Sequence, residues 1–314
     1  MLSNSELVER LLGGDRRALA RVISKVERED PEVREIISAL YPHTGNSTSI
    51  GFTGPPGVGK SSVIAKLIRL YREEGKRVGV ISVDPSSPFS KGAILGDRIR
   101  LADHFLDPGV FIRSMGSRGH LGGLAAGSWL AALAMEASGM DVVIFETVGV
   151  GQGEVEVASA AEVVVLCLQP GAGDAVQALK AGVMEIADVF CINKADHPRA
   201  RGAAAEVRSM LEIGHELDPD APIPPILMTR GDNGEGIGEL RDTIYAHREH
   251  MEQSGRLEKR RQASLREFVV SWATDRLERE MLKRLNREDT EVMEKVYGRD
   301  LDPISAAERI FREV

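Results

Sequence analysis

The sequence predicts an α/β fold: a doubly wound, mostly parallel β-sheet with a helical extension before it and a helical segment after it. Three observations support this prediction. Short apolar runs alternate with helical stretches from residue 48 to about 230, a glycine-rich loop links the first run to a helix, and the sequence after Gly236 is wholly helical and highly charged. Apolar runs rich in β-branched residues, without polar alternation, are typical of strands that are covered on both faces.

The helical extension comes first. Residues 5–41 place apolar side chains at helical spacing, as in Leu19, Val22, Ile23 and Val26. Asp15 and Asp30-Pro31 are helix start signals. The loop Pro42–Ser47 then leads to the sheet region.

Seven apolar runs predict the strands of the sheet. In chain order they are Ser49–Phe52, Val78–Val83, Val110–Arg113, Val142–Phe145, Val163–Leu168, Val189–Ile192 and Ile226–Met228. Helices between them are expected on both faces, and the ligands of such sheets bind at the carboxyl ends of the strands. Polar loops begin at those ends, at Gly54, Asp84, Gly149 and Asn193.

The helical segment comes last. Amphipathic spacing predicts helices over Glu239–Gln253 and Leu257–Leu285 and further helical segments to Val314. The basic run Arg256–Arg261 predicts a solvated helix face. The long amphipathic helix is suited either to an internal partner or to a dimer interface.

Length and composition restrict the possibilities further. The chain has 314 residues, more than the ~100–200 of one typical domain, and we place domain boundaries at 1–46, 47–250 and 251–314. The formal net charge of −8 argues against a general nucleic-acid partner. No apolar run reaches the ~20 residues of a membrane helix, and the N-terminus lacks a signal-peptide pattern. Cys167 and Cys191 are expected to be reduced core residues, which is consistent with a cytoplasmic location.

The most informative motif is the glycine-rich loop. Residues 54–61 fit the phosphate-binding pattern G-x-x-x-x-G-K-[ST]. Its glycines let backbone N–H groups converge on a pyrophosphate, and the helix N-terminus adds its positive dipole end. Lys60 is expected to bridge the β- and γ-phosphates, and Ser61 to bind Mg²⁺. The predicted nucleotide-binding residues here are Gly54, Pro55, Pro56, Gly57, Val58, Gly59, Lys60, Ser61 and Ser62.

A second motif indicates which base is bound. Asn193, Lys194 and Asp196 fit N-K-x-D directly after a predicted strand. A carboxylate at the last position accepts from both N1–H and the exocyclic amine of guanine, whereas adenine would leave polar groups unpaired at about 1–3 kcal/mol each. The loop Thr229-Arg230-Gly231, after the next strand, is expected to pack against the base. GTP is therefore predicted in preference to ATP.

Carboxylates near strand ends are candidates for a magnesium site together with Ser61. Asp84 ends one predicted strand, Asp97 lies in a Gly-rich loop, and Glu146 stands where aspartate is usual in D-x-x-G. Mg²⁺ prefers oxygen ligands and commonly takes one or two carboxylates, so the three need not bind together; Asp97 also suits a helix N-cap. The Gly149 N–H is expected to contact the γ-phosphate and to move when it leaves.

Two further Gly-rich loops are candidate switch segments. They are Gly149–Glu154, which contains Gln152, and Gly171–Asp174, which leads to Lys180. Gln152 is comparable with a glutamine that orients the attacking water. Neither loop supplies an evident general base, so slow unaided hydrolysis is expected.

Together these motifs resemble the MeaB/MMAA/ArgK family of SIMIBI-class P-loop GTPases, which are chaperones of adenosylcobalamin-dependent acyl-CoA mutases. The matching segments are Gly54–Ser61, Val83–Pro88, Gly96–Arg98, Glu146–Gln152 and Asn193–Asp196. The likeness covers nearly the whole chain, and Glu146–Gln152 is especially specific. The chain departs from the family at residues 229–231, where a Ser-Ala type of loop is commoner.

The resemblance implies a Mg²⁺-dependent GTPase that gates adenosylcobalamin loading and protects or rescues a B12-dependent acyl-CoA mutase of the methylmalonyl-CoA mutase type. It implies that Asp84, Asp97 and Glu146 serve the magnesium site. It also implies that Asp174 and Lys180 belong to a third switch that couples hydrolysis to the mutase. The C-terminal helices are expected to form a homodimer.

Two other functions share this core. A metallochaperone GTPase of the nickel-delivery kind needs a Cys/His cluster, and the close pair His247 and His250 is expected to lie on the surface. A targeting GTPase needs a basic or Met-rich module for RNA or a signal peptide, and the ten Met residues are scattered. The client stays open among methylmalonyl-, isobutyryl- and hydroxyisobutyryl-CoA mutases.

Overall fold

The computed structural model describes residues 2–85, 101–117, 123–147, 160–171, 184–217 and 222–312. Within these ranges, one sheet contains the strands β1 (Thr48–Thr53), β2 (Val78–Pro85), β3 (Val110–Ser117), β4 (Val142–Thr147), β5 (Val163–Leu168), β6 (Val189–Ile192) and β7 (Ile226–Met228). All neighbours are parallel, in the order β3-β2-β4-β1-β5-β6-β7. The predicted fold class is confirmed, and β3 continues past its predicted end at Arg113.

The helices of the described ranges flank the sheet or extend from it. They are α1 (Asn4–Leu12), α2 (Arg16–Arg28), α3 (Val33–Leu40), α4 (Lys60–Glu73), α5 (Gly123–Ala137), α6 (Ala200–Leu217), α7 (Ile237–Gln253), α8 (Arg256–Tyr297) and α9 (Pro303–Arg312). Asp15 caps α2 by accepting hydrogen bonds from the first turn. The predicted start signal at Asp30-Pro31 lies ahead of α3, whose first helical residue follows Glu32. The predicted end of α8 at Leu285 was too early.

The N-terminal helices and α5 cover one face of the sheet. Leu11, Leu19 and Ile36 lie in the same buried cluster as Ile81 of β2 and Phe145 of β4. Helix α2 also packs directly against α5, which lies on strands β2, β3 and β4. The N-terminal extension is therefore packed into the core that supports the sheet.

Helices α4 and α7 cover the opposite face. Ile64 and Leu67 of α4 share a fully buried cluster with Leu240 and Ile244 of α7 and with Phe52 of β1. Because α4 begins directly after the glycine-rich loop, this packing fixes the loop between a buried strand and a buried helix.

At the amino ends of β5 and β6, two carboxylates hold the C-terminal helices. The side chains of Glu162 and Asp188 are 8% and 13% exposed. We call this group the amino-edge cluster, and its members are Glu162, Asp188, His247, Arg248, Arg260 and Arg261. Arg260 and Arg261 are thus engaged in ion pairs, so the prediction of a solvated face was wrong for these two residues of the basic run.

Helix α8 is only partly covered by the rest of the chain. Near its start, the Phe268 ring stacks on Trp129 of α5, with ring centroids 4.1 Å apart. Further along, large apolar side chains are exposed, including Val269, Val270, Leu277 and Leu282. None of the described helices combines the length and apolar character needed to span a membrane.

Candidate nucleotide-binding site

The glycine-rich loop lies at the carboxyl edge of the sheet, between β1 and α4. Gly54 has a φ of +131°, and an added Cβ would lie 2.0 Å from the carbonyl oxygen of Cys167 on β5. Gly59 has a φ of +94°, and an added Cβ would lie 2.3 Å from Nδ2 of Asn193. Positive φ is strained for residues with a Cβ, and neither position has room for one. The loop is therefore held close to β5 and to the loop after β6.

The Lys60 ammonium lies inside this loop. Its Nζ donates to the carbonyl oxygens of Gly54 at 2.5 Å and of Pro55 at 3.0 Å. The residue is 6% exposed. A buried ammonium is costly unless it is hydrogen-bonded, so the loop carbonyls stabilise a positive charge at the point where the motif needs one.

A buried hydroxyl and a buried carboxylate meet beside Lys60. Ser61 Oγ donates to Glu146 Oε1 at 2.5 Å, and Ser82 Oγ lies 3.4 Å from Glu146 Oε2. Glu146 is 5% exposed. The sheet register explains the meeting, because β4 lies between β1 and β2 and Glu146 pairs with Phe52 and Ser82. Ser82 was missed in the sequence, although a serine inside an apolar β-branched run is an available signal.

The other predicted magnesium and switch residues are placed only in part. The backbone of Asp84 lies one residue before the end of β2 and one step beyond the Val83–Thr147 pair, at the same edge of the sheet. Its side chain lies outside the described structure. The remaining predicted residues also lie outside the described ranges, and they are Asp97, Gly149, Gln152, Asp174 and Lys180.

Asn193 joins three loops at this edge. Its Nδ2 donates to the carbonyl oxygen of Val58 at 2.8 Å. Its Oδ1 accepts from the Gly231 N–H at 2.9 Å and from Thr229 Oγ1 at 3.3 Å. Because the residue is buried, these bonds are shielded from competing water. The amide therefore connects the phosphate-binding loop with the loop after β7.

Lys194 reaches over the same loop from the other side. It has a φ of +57°, and its Nζ donates to the carbonyl oxygen of Gly57 at 2.9 Å and to Gln169 Oε1 at 2.5 Å. Gln169 follows β5 directly, and the sequence analysis did not single it out. The loops after β1, β5, β6 and β7 thus converge at one place.

Residues 229–231 lie next to Asp196 and to the start of α4. An added Cβ on Gly231 would lie 3.0 Å from Cβ of Ser62, so this loop packs closely on the exposed first-turn Ser62. The Arg230 guanidinium lies between carboxylates of Asp196 and Asp232. The hydrogen bond from Arg230 lowers the pKa of Asp232 below its usual value.

The two cysteines lie beneath these loops. Cys167 and Cys191 are register partners on β5 and β6, and both are buried and free. Cys191 Sγ lies 3.1 Å from Thr229 Oγ1. Hydrogen bonding with Cys191 and burial raise the pKa of the Cys167 thiol, so it stays protonated. Both thiols act as core groups, as predicted.

The chain is similar to a known protein family and to several known proteins. Residues 19–286 match the family model described as methylmalonyl Co-A mutase-associated GTPase MeaB. A Pyrococcus abyssi protein, whose name places it among GTPases, is 47% identical over 313 residues, covering 98% of this chain and 96% of that protein. The methylmalonic aciduria type A homolog of Caenorhabditis elegans is 32% identical, covering 87% of this chain and 72% of that protein. The crystal structure of a LAO/AO transport system kinase superposes with a TM-score of 0.69 at 28% identity, covering 99% and 98% of the two chains.

Proposed function

This chain belongs to the MeaB family of methylmalonyl-CoA mutase-associated GTPases, and on that premise we propose that it is a GTP-hydrolysing chaperone of a B12-dependent acyl-CoA mutase. GTP hydrolysis would gate the loading of adenosylcobalamin and would protect or rescue the mutase. The single observation that carries the nucleotide part is the convergence of three strand-end loops, those after β5, β6 and β7, on the glycine-rich loop after β1. The family match carries the mutase part.

The phosphates would be bound by Lys60 and by backbone N–H groups of residues 57–62, since Pro55 and Pro56 have no N–H to donate. In the structure, the Lys60 ammonium is already held by carbonyl oxygens of the loop. Exchanging those carbonyls for phosphate oxygens would place its charge against the transferring phosphoryl group. Preorganised charge of this kind stabilises a transition state without reorganising at the moment of reaction.

The residues around Glu146 fit a magnesium ion. The Ser61 hydroxyl and the Glu146 carboxylate are adjacent, buried oxygen donors, and Mg²⁺ prefers oxygen ligands. We assign Ser61, Asp84, Asp97 and Glu146 to this site. Bound Mg²⁺ would neutralise charge on the phosphate oxygens. Ser82 would orient Glu146 from the neighbouring strand.

The base would be read by Asp196, with Asn193 and Lys194 shaping its surroundings. Asn193 contributes indirectly, since its amide fixes the phosphate-binding loop relative to residues 229–231. Lys194 bridges that loop to Gln169. The Asp196 side chain lies beside Arg230 and is 57% exposed, so a purine can reach it.

The mutase would act on the switches, and a second copy of the chain would cover the exposed face of α8. Gly149 would sense the γ-phosphate, while Asp174 and Lys180 would transmit contact with the mutase. The exposed apolar side chains of α8 support a homodimer, because large apolar patches on a helix mark interaction surfaces. By contrast, in the described ranges no three His, Cys, Asp or Glu side chains form a metal-binding group that would favour a metallochaperone.

The nucleotide assignment is tested with Asp196→Asn. An amide presents one donor and one acceptor, which suits xanthine better than guanine. We expect the affinity for GDP to fall at least ~100-fold and the affinity for xanthosine diphosphate to rise. Titration calorimetry with GDP, xanthosine diphosphate and ADP measures both changes. Unchanged GDP affinity, or equally tight ADP, would refute the assignment.

The client assignment is tested separately with a purified B12-dependent acyl-CoA mutase. We expect complex formation in size-exclusion chromatography and faster GTP turnover when the mutase is present. An unrelated acyl-CoA enzyme without B12 serves as the control. A GTPase that neither binds nor responds to methylmalonyl-, isobutyryl- or hydroxyisobutyryl-CoA mutase would retain its nucleotide chemistry but lose this proposed client class.

A further inference from the structure

The Arg230 side chain lies at the centre of three carboxylates. Its Nη2 donates to Asp232 Oδ2 at 2.9 Å and its Nε donates to Asp232 Oδ1 at 3.3 Å. Without a hydrogen bond, Nε also lies 3.6 Å from Asp196 Oδ1 and Nη1 lies 3.8 Å from Glu235 Oε2. The guanidinium is 29% exposed. A single cation thus faces the carboxylate that we assign to the base and two others beside it.

The backbone that carries Arg230 is fixed by its own hydrogen bonds. The Arg230 N–H donates to the Glu235 carbonyl at 2.9 Å, and the Gly234 N–H donates to the Arg230 carbonyl at 2.8 Å. On either side of Arg230, Thr229 and Gly231 both bond to Asn193. The guanidinium therefore projects from a loop that is closed on itself and tied to the nucleotide site.

The Asp196 carboxylate needs such a neighbour. It is 57% exposed, and an exposed carboxylate rotates about two torsions. Reading guanine requires both oxygens at once, one for N1–H and one for the exocyclic amine. Without a cation beside it, Asp196 would also be repelled by Asp232, Glu235 and the negatively charged nucleotide.

We propose that Arg230 is a positioning residue that determines guanine specificity, because its anchored guanidinium holds the Asp196 carboxylate in the orientation that reads both donors of the base. This inference rests on the proposed function, since Asp196 must be the residue that contacts guanine. An exposed ion pair contributes little to folding. The contribution of Arg230 therefore lies in ligand discrimination.

The test compares GDP with inosine diphosphate, which lacks the exocyclic amine. Wild-type protein should prefer GDP by roughly 10- to 100-fold, because one charged hydrogen bond is missing with inosine diphosphate. In Arg230→Ala, GDP should bind about three- to fivefold more weakly, and the preference over inosine diphosphate should narrow by about threefold. Titration calorimetry of both ligands measures the two quantities.

Arg241→Ala is the matched control. Arg241 is similarly exposed and also pairs with neighbouring carboxylates, Asp242 and Glu74, but on helix α7. Arg241→Ala should change neither the affinity for GDP nor the preference for GDP over inosine diphosphate by more than about twofold. Asp232→Ala removes the anchor of the Arg230 guanidinium. It should also narrow the preference for GDP over inosine diphosphate, by less than Arg230→Ala does.

The outcomes separate this inference from the assignment of Asp196. If Asp196→Asn weakens GDP binding while Arg230→Ala leaves the preference for GDP over inosine diphosphate at the wild-type value, the positioning role is overturned and the base assignment stands. If Asp196→Asn leaves GDP binding intact, the base assignment itself fails. When Arg230→Ala is added to Asp196→Asn, it should cause no further loss of the discrimination between GDP and inosine diphosphate. An additional loss in this double variant would also overturn the proposal.

Discussion

The two edges of the sheet use polar groups in opposite ways. At the carboxyl edge, Lys60 is bonded to carbonyl oxygens and Ser61 to Glu146, so neutral groups and short side chains satisfy the buried charges. At the amino edge, two largely buried carboxylates each contact one side chain from α7 and one from α8: Asp188 contacts His247 and Arg260, and Glu162 contacts Arg248 and Arg261. Under the proposed function, the groups at the carboxyl edge exchange these partners for a ligand, whereas those at the amino edge stay paired with each other.

This difference separates binding from architecture. Charge-assisted bonds between side chains on different elements hold those elements in one arrangement. The amino-edge cluster thereby fixes where α8 leaves the core. The carboxyl edge leaves its cation and its carboxylate beside exchangeable partners. Changes at the carboxyl edge should therefore alter GTP turnover, and changes at the amino edge should alter the free energy of unfolding.

The largest expected effect is on turnover, from Lys60→Ala. Removing the cation that we assign to the phosphoryl group should lower GTP turnover by about 10²- to 10³-fold, a typical loss for one preorganised charge. Thermal unfolding should change little, because a buried charge is removed along with its bonds. Phosphate release and a thermal melt measure the two quantities. Lys76→Ala, which alters an exposed lysine just after the same helix, is the control; equal turnover in the two variants would contradict the role of Lys60.

The next effect is on stability, from Glu162→Ala. The change leaves Arg248 and Arg261 without their shared carboxylate, and we expect the free energy of unfolding to fall by about 2 kcal/mol, less than for a fully buried pair because both arginines retain access to water. GTP turnover should stay within about twofold. Urea unfolding measures the change, with the exposed Glu249→Ala as control. If Glu162→Ala instead lost most of its GTP turnover at an unchanged free energy of unfolding, the proposed difference between the two edges would be wrong.

The smallest effect is the pH dependence that comes from Asp188. Burial alone would raise the pKa of this carboxyl, but His247, the charge of Arg260 and the Val164 N–H together lower it below its usual value. The unfolded chain then binds the proton more readily, so the stabilisation is present above about pH 4 and is lost as pH falls through the folded-state pKa. Urea unfolding of wild-type protein and Asp188→Asn should differ at neutral pH and converge in acid. A difference in the free energy of unfolding between the two proteins that stays constant from neutral pH into acid would show that the Asp188 carboxylate does not supply this stabilisation.

Much of the fold and the centre of the site could be predicted because the signals are local. The strand runs, the phosphate-binding loop and N-K-x-D each depend on residues close together in the chain, and the parallel order places their ends at one edge. The errors came from contacts between distant residues. Arg260 and Arg261 belong to a basic run in the sequence, and only the packing of α8 on the amino ends of β5 and β6 gives them buried partners.

By itself, the sequence determined the sheet and the family of the protein, because backbone propensity and short motifs are properties of neighbouring residues. It also placed Lys60, Glu146 and Asp196 near the carboxyl edge of the sheet. Only the tertiary structure decided that Ser82 supports Glu146, that Gln169 meets Lys194, and that Arg230 stands beside Asp196. The physical reason is that hydrogen bonds and ion pairs depend on distances of a few ångströms, which are set when separate strands and loops are packed together.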